Sequence, residues 1–403
     1  MRRLPPGSPF ADHWDLDPEV VYLNHGSFGA CPRAVLAVQQ ELRAAMERQA
    51  VRFVHRELES RLAMARAALA ALLGSAADDL AFVPNATTGV NTVLRSLRFA
   101  PGDELLTIDH TYNACRNVLD FVAAQHGAKV VVAPIPFPID GPDLVVERVL
   151  GAVTTRTRLL LIDHVTSPTG LVLPVERLVP ALHARGIDTL VDGAHAPGML
   201  PLQLDRLGAA YYTGNCHKWL CAPKGAALLH VRRDRQAAIR PLVLSHGANS
   251  PRQDRSRFRL EFDFVGTADY TPYLCVPAAI EFLAGLLPGG LPALQRHNHE
   301  LMRHGRDRLC EVLGVPPPAP DSMLGSLAAV PLPWRDAPGV GPLGLDPLQV
   351  ALHDRHGIEV PVMRWATPRL RLLRISPQIY HSRRQYDHLA ACLRDELAAE
   401  RAG

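Results

Sequence analysis

The stretch "YYTGNCHKWLCAPKG", residues 211–225, holds a lysine wedged between His217 and Trp219. Of 43 basic residues only Lys129, Lys218 and Lys224 are lysines; arginine serves elsewhere. Scarce lysine beside abundant Arg, Ala, Leu and Pro points to a GC-rich genome, which explains the rarity but not the position of Lys218. An amine that sheds its proton forms an imine with a carbonyl, and a guanidinium does not. "VDGAH", residues 191–195, adds a carboxylate, Asp192, at the end of a β-rich run. A lysine with a buried aspartate suits pyridoxal phosphate: the amine makes a Schiff base with its aldehyde, and the carboxylate keeps its ring nitrogen protonated. The phosphate then needs N–H groups at a helix start. "VPNATTGVNTVLRSL", residues 83–97, offers Ala86, Thr87, Thr88 and Gly89 at a strand-to-helix junction. Tyr112 is placed to cover the ring face. Taken singly, these are a surface lysine, a turn carboxylate and ordinary helix caps; their joint order carries the weight.

The elements that must position them follow from periodicity. Residues 32–49 and 59–74 have apolar residues at helical spacing, with Pro32 and Gly74 as boundary signals. Short β-rich runs then alternate with helical segments: strands at 104–109, 129–135, 158–165, 188–193, 209–214 and 225–231, helices at 113–126, 143–151 and 176–185. Such alternation predicts an α/β fold with a mostly parallel sheet. In that fold ligands gather at the carboxyl ends of strands. There the chain delivers Asp192 and His195; His164, Thr166 and Ser167; Asn215, His217 and Lys218; His110 and Tyr112. "LLPGGLP" (286–292) marks a boundary, followed by a smaller α+β unit with helices at 293–313 and 383–399 and strands in "MLGSLAAVPLP", "IEVPVM" and "RLLRIS". The expected divisions are an N-terminal segment 1–30 near the active site, a large domain 31–288 and a small domain 289–403.

Composition narrows the function classes. Apolar residues at 47% and charged residues at 21% are ordinary for a soluble protein of 403 residues. A net charge of +3 without basic clusters interleaved with aromatics argues against nucleic acid; "RSRFRLEF" (255–262) reads as a solvated strand or loop. Seven cysteines without a CxxC pair make a poor disulfide framework and fit a reducing cytoplasm. The first residues carry no apolar core of a secretory signal, and no apolar run approaches membrane-spanning length, so no membrane partner is expected. No metal site is expected.

The chain resembles the class V branch of the fold-type I pyridoxal-phosphate enzymes, and within it looks most like the isopenicillin N epimerase group. The stretches that carry the resemblance are "YLNHGSFGACP" (22–32), "NATTGVN" (85–91), "SPTGLVLP" (167–174), "VDGAHAPG" (191–198), "GNCHKWLCAPKGAALLHV" (214–231), "GTAD" (266–269) and "LRISPQIY" (373–380). The resemblance implies that Lys218 is the Schiff-base lysine, that Asp192 pairs with the ring nitrogen, and that His195 lies by the ring's phenolic oxygen. Ser167 stands near that oxygen, where many relatives have asparagine. Thr87 with its neighbours, Asn215 and His217 would hold the phosphate. Thr267 would reach the phosphate of a partner subunit, implying a homodimer with shared sites. Arg374 would take the substrate carboxylate in a bidentate contact. Asn24 and His25 would lie near the substrate, and Lys224 would be structural.

The cofactor labilises bonds at Cα, and the protein chooses among them. Cysteine desulfurases need a nucleophilic cysteine in the stretch corresponding to 357–376, which has none here. An epimerase is the leading expectation, with Lys218 serving one face of Cα and Tyr112, or a water held by His25, the other. A C–S lyase acting on a cysteine conjugate or sulfoxide, and an aminotransferase, are the alternatives. A non-catalytic protein of the same fold is the reading from another class, disfavoured by the joint presence of Lys218, Asp192 and Arg374. A dinucleotide-binding fold lacks its GxGxxG. "VMRWATPR" (362–369) is a candidate lining of the substrate pocket, with Arg364 either available for a second carboxylate or a solvated loop residue.

Overall fold

In a computed structural model the chain is described over residues 4–365 and 369–402. Residues 366–368 of the expected pocket-lining stretch, and residues 1–3, lie outside the described residues. Strands β1 (Leu80–Val83), β2 (Glu104–Ile108), β3 (Lys129–Ala133), β4 (Thr157–Asp163), β5 (Asp188–Asp192), β6 (Tyr211–Asn215) and β7 (Ala227–Val231) form one sheet in the order β1-β7-β6-β5-β4-β2-β3. Only β7 runs against the others. The central strands are largely buried on both faces, as helices packed on both sides of a parallel sheet require.

Helices α1 (Arg33–Arg48) and α2 (Leu58–Leu73) precede the sheet. On α2, Leu58, Leu62, Ala65, Leu69 and Leu73 recur at helical spacing and are buried. Helices α3 (Ala86–Ser96) and α4 (Asn113–His126) follow β1 and β2 directly. Gly89 of α3 presses on β6: a Cβ there would lie 2.2 Å from the Thr213 hydroxyl. A larger residue would lift the start of α3 off the strand whose end carries Asn215.

A second, antiparallel sheet has β8 (Ala328–Leu332), β9 (Val362–Trp365) and β10 (Leu370–Ile375) in the order β9-β10-β8. Helices α5 (Gly290–Leu313) and α6 (Arg383–Ala402) pack on each other, and α5 also packs on this sheet. The run "IEVPVM" divides at Pro361, which has no N–H for a ladder. Ile358–Glu359 pairs in parallel with Val21–Tyr22, and the rest enters β9. A bridge from Asn24 to Ser376 extends this tie between the two ends of the chain.

One expectation fails outright. "RSRFRLEF" is a helix over Arg257–Phe262, capped by Ser256, which accepts the Arg259 N–H at 3.2 Å. Phe258 and Phe262, four apart, bury one face. Its arginines pair with Glu261 and, at 2.7 Å, with Asp78. The alternating charges mimic a strand, but the two phenylalanines keep helical spacing. Among the described residues no single helix is long and apolar enough to cross a membrane.

Candidate active site

Strands β4 and β5 end side by side, with Asp163 opposite Asp192 in the parallel register. The strand ends, the start of α3 and the N-terminal loop enclose a cavity of about 610 Å³. Ten sequence-predicted residues line it: Ala86, Thr87 and Thr88 at the helix start, Tyr112 before α4, Ser167 after β4, Asp192 and His195, then Asn215, His217 and Lys218.

At the helix start, the Asn85 side chain accepts the Thr88 N–H at 2.8 Å, and Asn215 accepts the Ala86 N–H at 2.8 Å. The two contacts fix the first turn of α3 against β6 and point its positive end at the cavity. From the other side, Gly29 at φ +70° comes so near the His217 carbonyl that a Cβ would sit 1.9 Å from it. The N-terminal loop therefore braces the turn that carries Lys218, and Lys224 clamps it by donating to the Gly29 carbonyl at 3.1 Å.

The carboxylate corner is crowded. Buried Asp192 accepts the Ala194 N–H at 3.0 Å and the Cys115 thiol at 3.1 Å. Burial raises the pKa of both carboxyl groups, and the neighbouring Asp192 charge pushes Asp163 further up. Burial likewise raises the Cys115 thiol, which stays a protonated donor. Asp163 Oδ2 is buried without a hydrogen-bond partner among the described residues. Two adjacent carboxyls with an orphaned oxygen suit a ligand N–H⁺. Across the cavity the Lys218 amine lies 3.2 Å from His195 Nε2. Burial, and then the Arg374 charge, pull its pKa down to about 8. An amine of lowered pKa, an N–H⁺ acceptor and a helix N-terminus fit the aldehyde, ring nitrogen and phosphate of pyridoxal phosphate.

Arg374 on β10 is 3% exposed. It donates to the Ser167 carbonyl at 2.7 Å and hydroxyl at 3.2 Å, to Asn24 Oδ1 at 3.1 Å and to the Ser27 hydroxyl at 2.9 Å. Ser167 and Ser27 line the cavity. Among the described residues Arg374 makes no ion pair, its Nε has no partner, and burial pulls its pKa down to about 10. A buried cation held only by neutral oxygens is suited to an incoming carboxylate.

Two expected residues stand elsewhere. His25 is buried with Nδ1 at 2.7 Å from the Tyr380 hydroxyl and Nε2 at 3.0 Å from the Lys218 carbonyl. Both nitrogens are engaged, and burial pulls its pKa to about 3, so it is not placed to hold an active-site water. Arg364 faces Arg371 across the β9–β10 ladder, donates to the Ala337 carbonyl at 2.6 Å and shares Asp346 at 3.5 Å; it is not free for a substrate. Thr267 is exposed and outside the cavity. Sequence reasoning missed Asp163, Cys115 and Ser27. A signal for Asp163 existed: two neighbouring strands, "LLLID" and "TLVD", both end in aspartate.

The family model described as "Aminotransferase class-V" matches residues 21–389. The chain is 39% identical to an isopenicillin N epimerase of Amycolatopsis lactamdurans, over 94% of this chain and 96% of that one. It is 30% identical to a probable chloroplastic L-cysteine desulfhydrase of Arabidopsis thaliana, over 95% of this chain and 83% of that one. A solved lysine-to-alanine mutant of C-DES, with glycine covalently linked to its pyridoxal phosphate, has the same fold: TM-score 0.76 at 22% identity, over 93% of this chain and 96% of that one.

Proposed function

Given that this chain belongs to the class-V aminotransferase family, whose cofactor is pyridoxal phosphate, we propose that it removes and returns the α-proton of an amino acid, as an epimerase. Bound pyridoxal phosphate makes bonds at the α-carbon of an attached amino acid labile. The carrying observation is the Lys218 amine, with a pKa near 8, across one cavity from the Asp192 and Asp163 carboxyls. An amine of that basicity accepts and returns a proton near neutral pH. Asp192 and Asp163 would hold the ring nitrogen's proton, and the first turn of α3 with His217 would seat the phosphate. Arg374 would hold the substrate carboxylate, with Asn24, Ser27 and Ser167 orienting its fork. Tyr112, at the cavity wall, would serve the second face. No cysteine lines the cavity among the described residues, and the Cys115 thiol is occupied by Asp192, which disfavours a persulfide route.

The desulfhydrase relatives support a second reading, C–S lysis of a cysteine-type substrate, which shares the first proton removal. Incubation with amino acids in D₂O tests both. Solvent deuterium at Cα with inversion supports the epimerase; pyruvate with a sulfur product moves the assignment to the lyase. Turnover only when a 2-oxo acid is supplied sinks both. The proposal includes a homodimer in which exposed Thr267 reaches the partner's phosphate, and the three-part division at residues 30 and 288. Light scattering at the mass of one 44.0 kDa chain, with full activity, rules the dimer out.

A further inference from the structure

The Trp219 indole N–H donates to His195 Nδ1 at 3.3 Å. Indole nitrogen is a donor only, so His195 Nδ1 must be the acceptor and carry no hydrogen. The proton of a neutral imidazole then resides on Nε2, the atom 3.2 Å from the Lys218 amine. Nε2–H can donate to Lys218 only in the fraction of the amine that is a free base, a fraction enlarged by its lowered pKa of about 8. A second proton on His195 would set two N–H groups against each other at Nδ1, inside a site where the ring is 1% exposed. The indole itself is 1% exposed, and its ring centroid lies 5.0 Å from that of His25.

We propose that Trp219 is a positioning residue that locks His195 as the neutral Nε2–H tautomer, making it a permanent donor toward the cavity centre and barring it from taking up the substrate's α-proton. The arrangement gives the "HKW" order a second reason. Lys218 supplies the amine, and the next residue, through His195, favours its uncharged state. The charged or titratable groups facing His195 among the described residues include Lys218, Arg374, His25 and His217, with Asp163, Asp192 and Tyr112 lining the same cavity. Burial, then the Lys218 charge, hold its pKa far below the usual imidazole range, in the same direction as the hydrogen bonds. Proton transfer at Cα is left to Lys218 and Tyr112. The inference concerns the chain's own hydrogen bonds; only the recipient of the Nε2–H in the loaded enzyme rests on the proposed function.

The holoenzyme labelled with ¹⁵N-histidine tests it, with His195→Gln used to assign the signal. Expected is one fixed tautomer, protonated at Nε2 and bare at Nδ1, unchanged over about pH 5 to 8, where an ordinary imidazole changes charge. Trp219→Phe keeps an aromatic ring without the donor. There the His195 signals should average between tautomers. The midpoint of the pH dependence of visible absorption should also shift by about 0.5–1 unit, the effect of one ordinary hydrogen bond. A proton on Nδ1 in the wild type, uptake of a second proton in that range, or an unaltered Trp219→Phe spectrum overturns the proposal. If Trp219→Phe does not fold, the wild-type tautomer decides alone. Absence of α-proton exchange would sink the epimerase reading and leave this measurement intact.

Discussion

Two buried arginines three residues apart on β10 have opposite surroundings. Arg371 meets Asp346 at 2.6 and 3.0 Å and Glu400 at 2.8 Å twice, two carboxylates for one cation. Arg374 meets only neutral oxygens. An odd spacing on a strand sends the two side chains to opposite faces of the sheet. A guanidinium costs several kcal/mol to bury unless an anion accompanies it. Arg371 finds its anions within the chain; Arg374 is left for an anion from outside. The same logic with the sign reversed separates Asp346, matched by Arg371, from Asp163, whose Oδ2 has no partner among the described residues. Buried ionisable groups without a counter-charge are the ones proposed to face the ligand.

The comparison breaks most readily at Arg374. Arg374→Leu should lower kcat/KM by ~10³-fold, as losing one side of a buried charge pair does, while leaving the thermal midpoint unchanged or raised, because an uncompensated charge has gone. Activity within tenfold of wild type would return Arg374 to the structural class. Arg371→Met should do the reverse. Strong destabilisation is expected, about 3 kcal/mol or more in chemical denaturation, since Asp346 and Glu400 lose their cation, with little change in KM for the folded fraction. A stable Arg371→Met with impaired substrate binding would invert the assignment. Asp163→Asn keeps the shape and removes one unmatched carboxyl. Activity should fall about tenfold, one pKa unit of lost support for the ring-nitrogen proton, and the chain should melt no earlier. An unaltered rate would leave Asp192 as the only functional carboxyl of the pair. The smallest effect is a pH trend in the cofactor-free chain. The folded pKa of Lys218 is about 8 against 10.5 ordinarily, so the unfolded chain binds more protons between those values. By linkage, stability gains from this residue as pH rises through that window. Lys218→Met should lack that increment when denaturation curves at the two ends are compared; equal slopes in both proteins would mean an unperturbed lysine.

Much of this was readable from sequence where the information is local. Lys218 in its motif, Asp192 at a strand end and the Asn85–Thr88 helix start each announce themselves within a few residues. The parallel sheet follows from alternating runs whose strands are buried on both faces. What sequence hid depends on partners brought together from far apart. Asp163 gains meaning only opposite Asp192, and Cys115 only against the same carboxylate. Arg364 is in the right neighbourhood of sequence, yet Asp346 and a loop carbonyl claim it. His25 sits in the expected loop, but Tyr380 and the Lys218 carbonyl take both its nitrogens.

The pairing of Val21–Tyr22 with Ile358–Glu359, and the reach of Arg374 to Asn24, bear on how the protein is made. A ribosome delivers residue 24 long before residue 374. The seven-stranded sheet, finished by residue 231, can gather its helices as it emerges, whereas the corner proposed to anchor a substrate must wait for nearly the whole chain. Until then the N-terminal segment has no strand to join, and closing so distant a contact is slow. A nascent or prematurely terminated product would thus own the lysine and both aspartates yet lack Arg374, the residue proposed to hold the substrate.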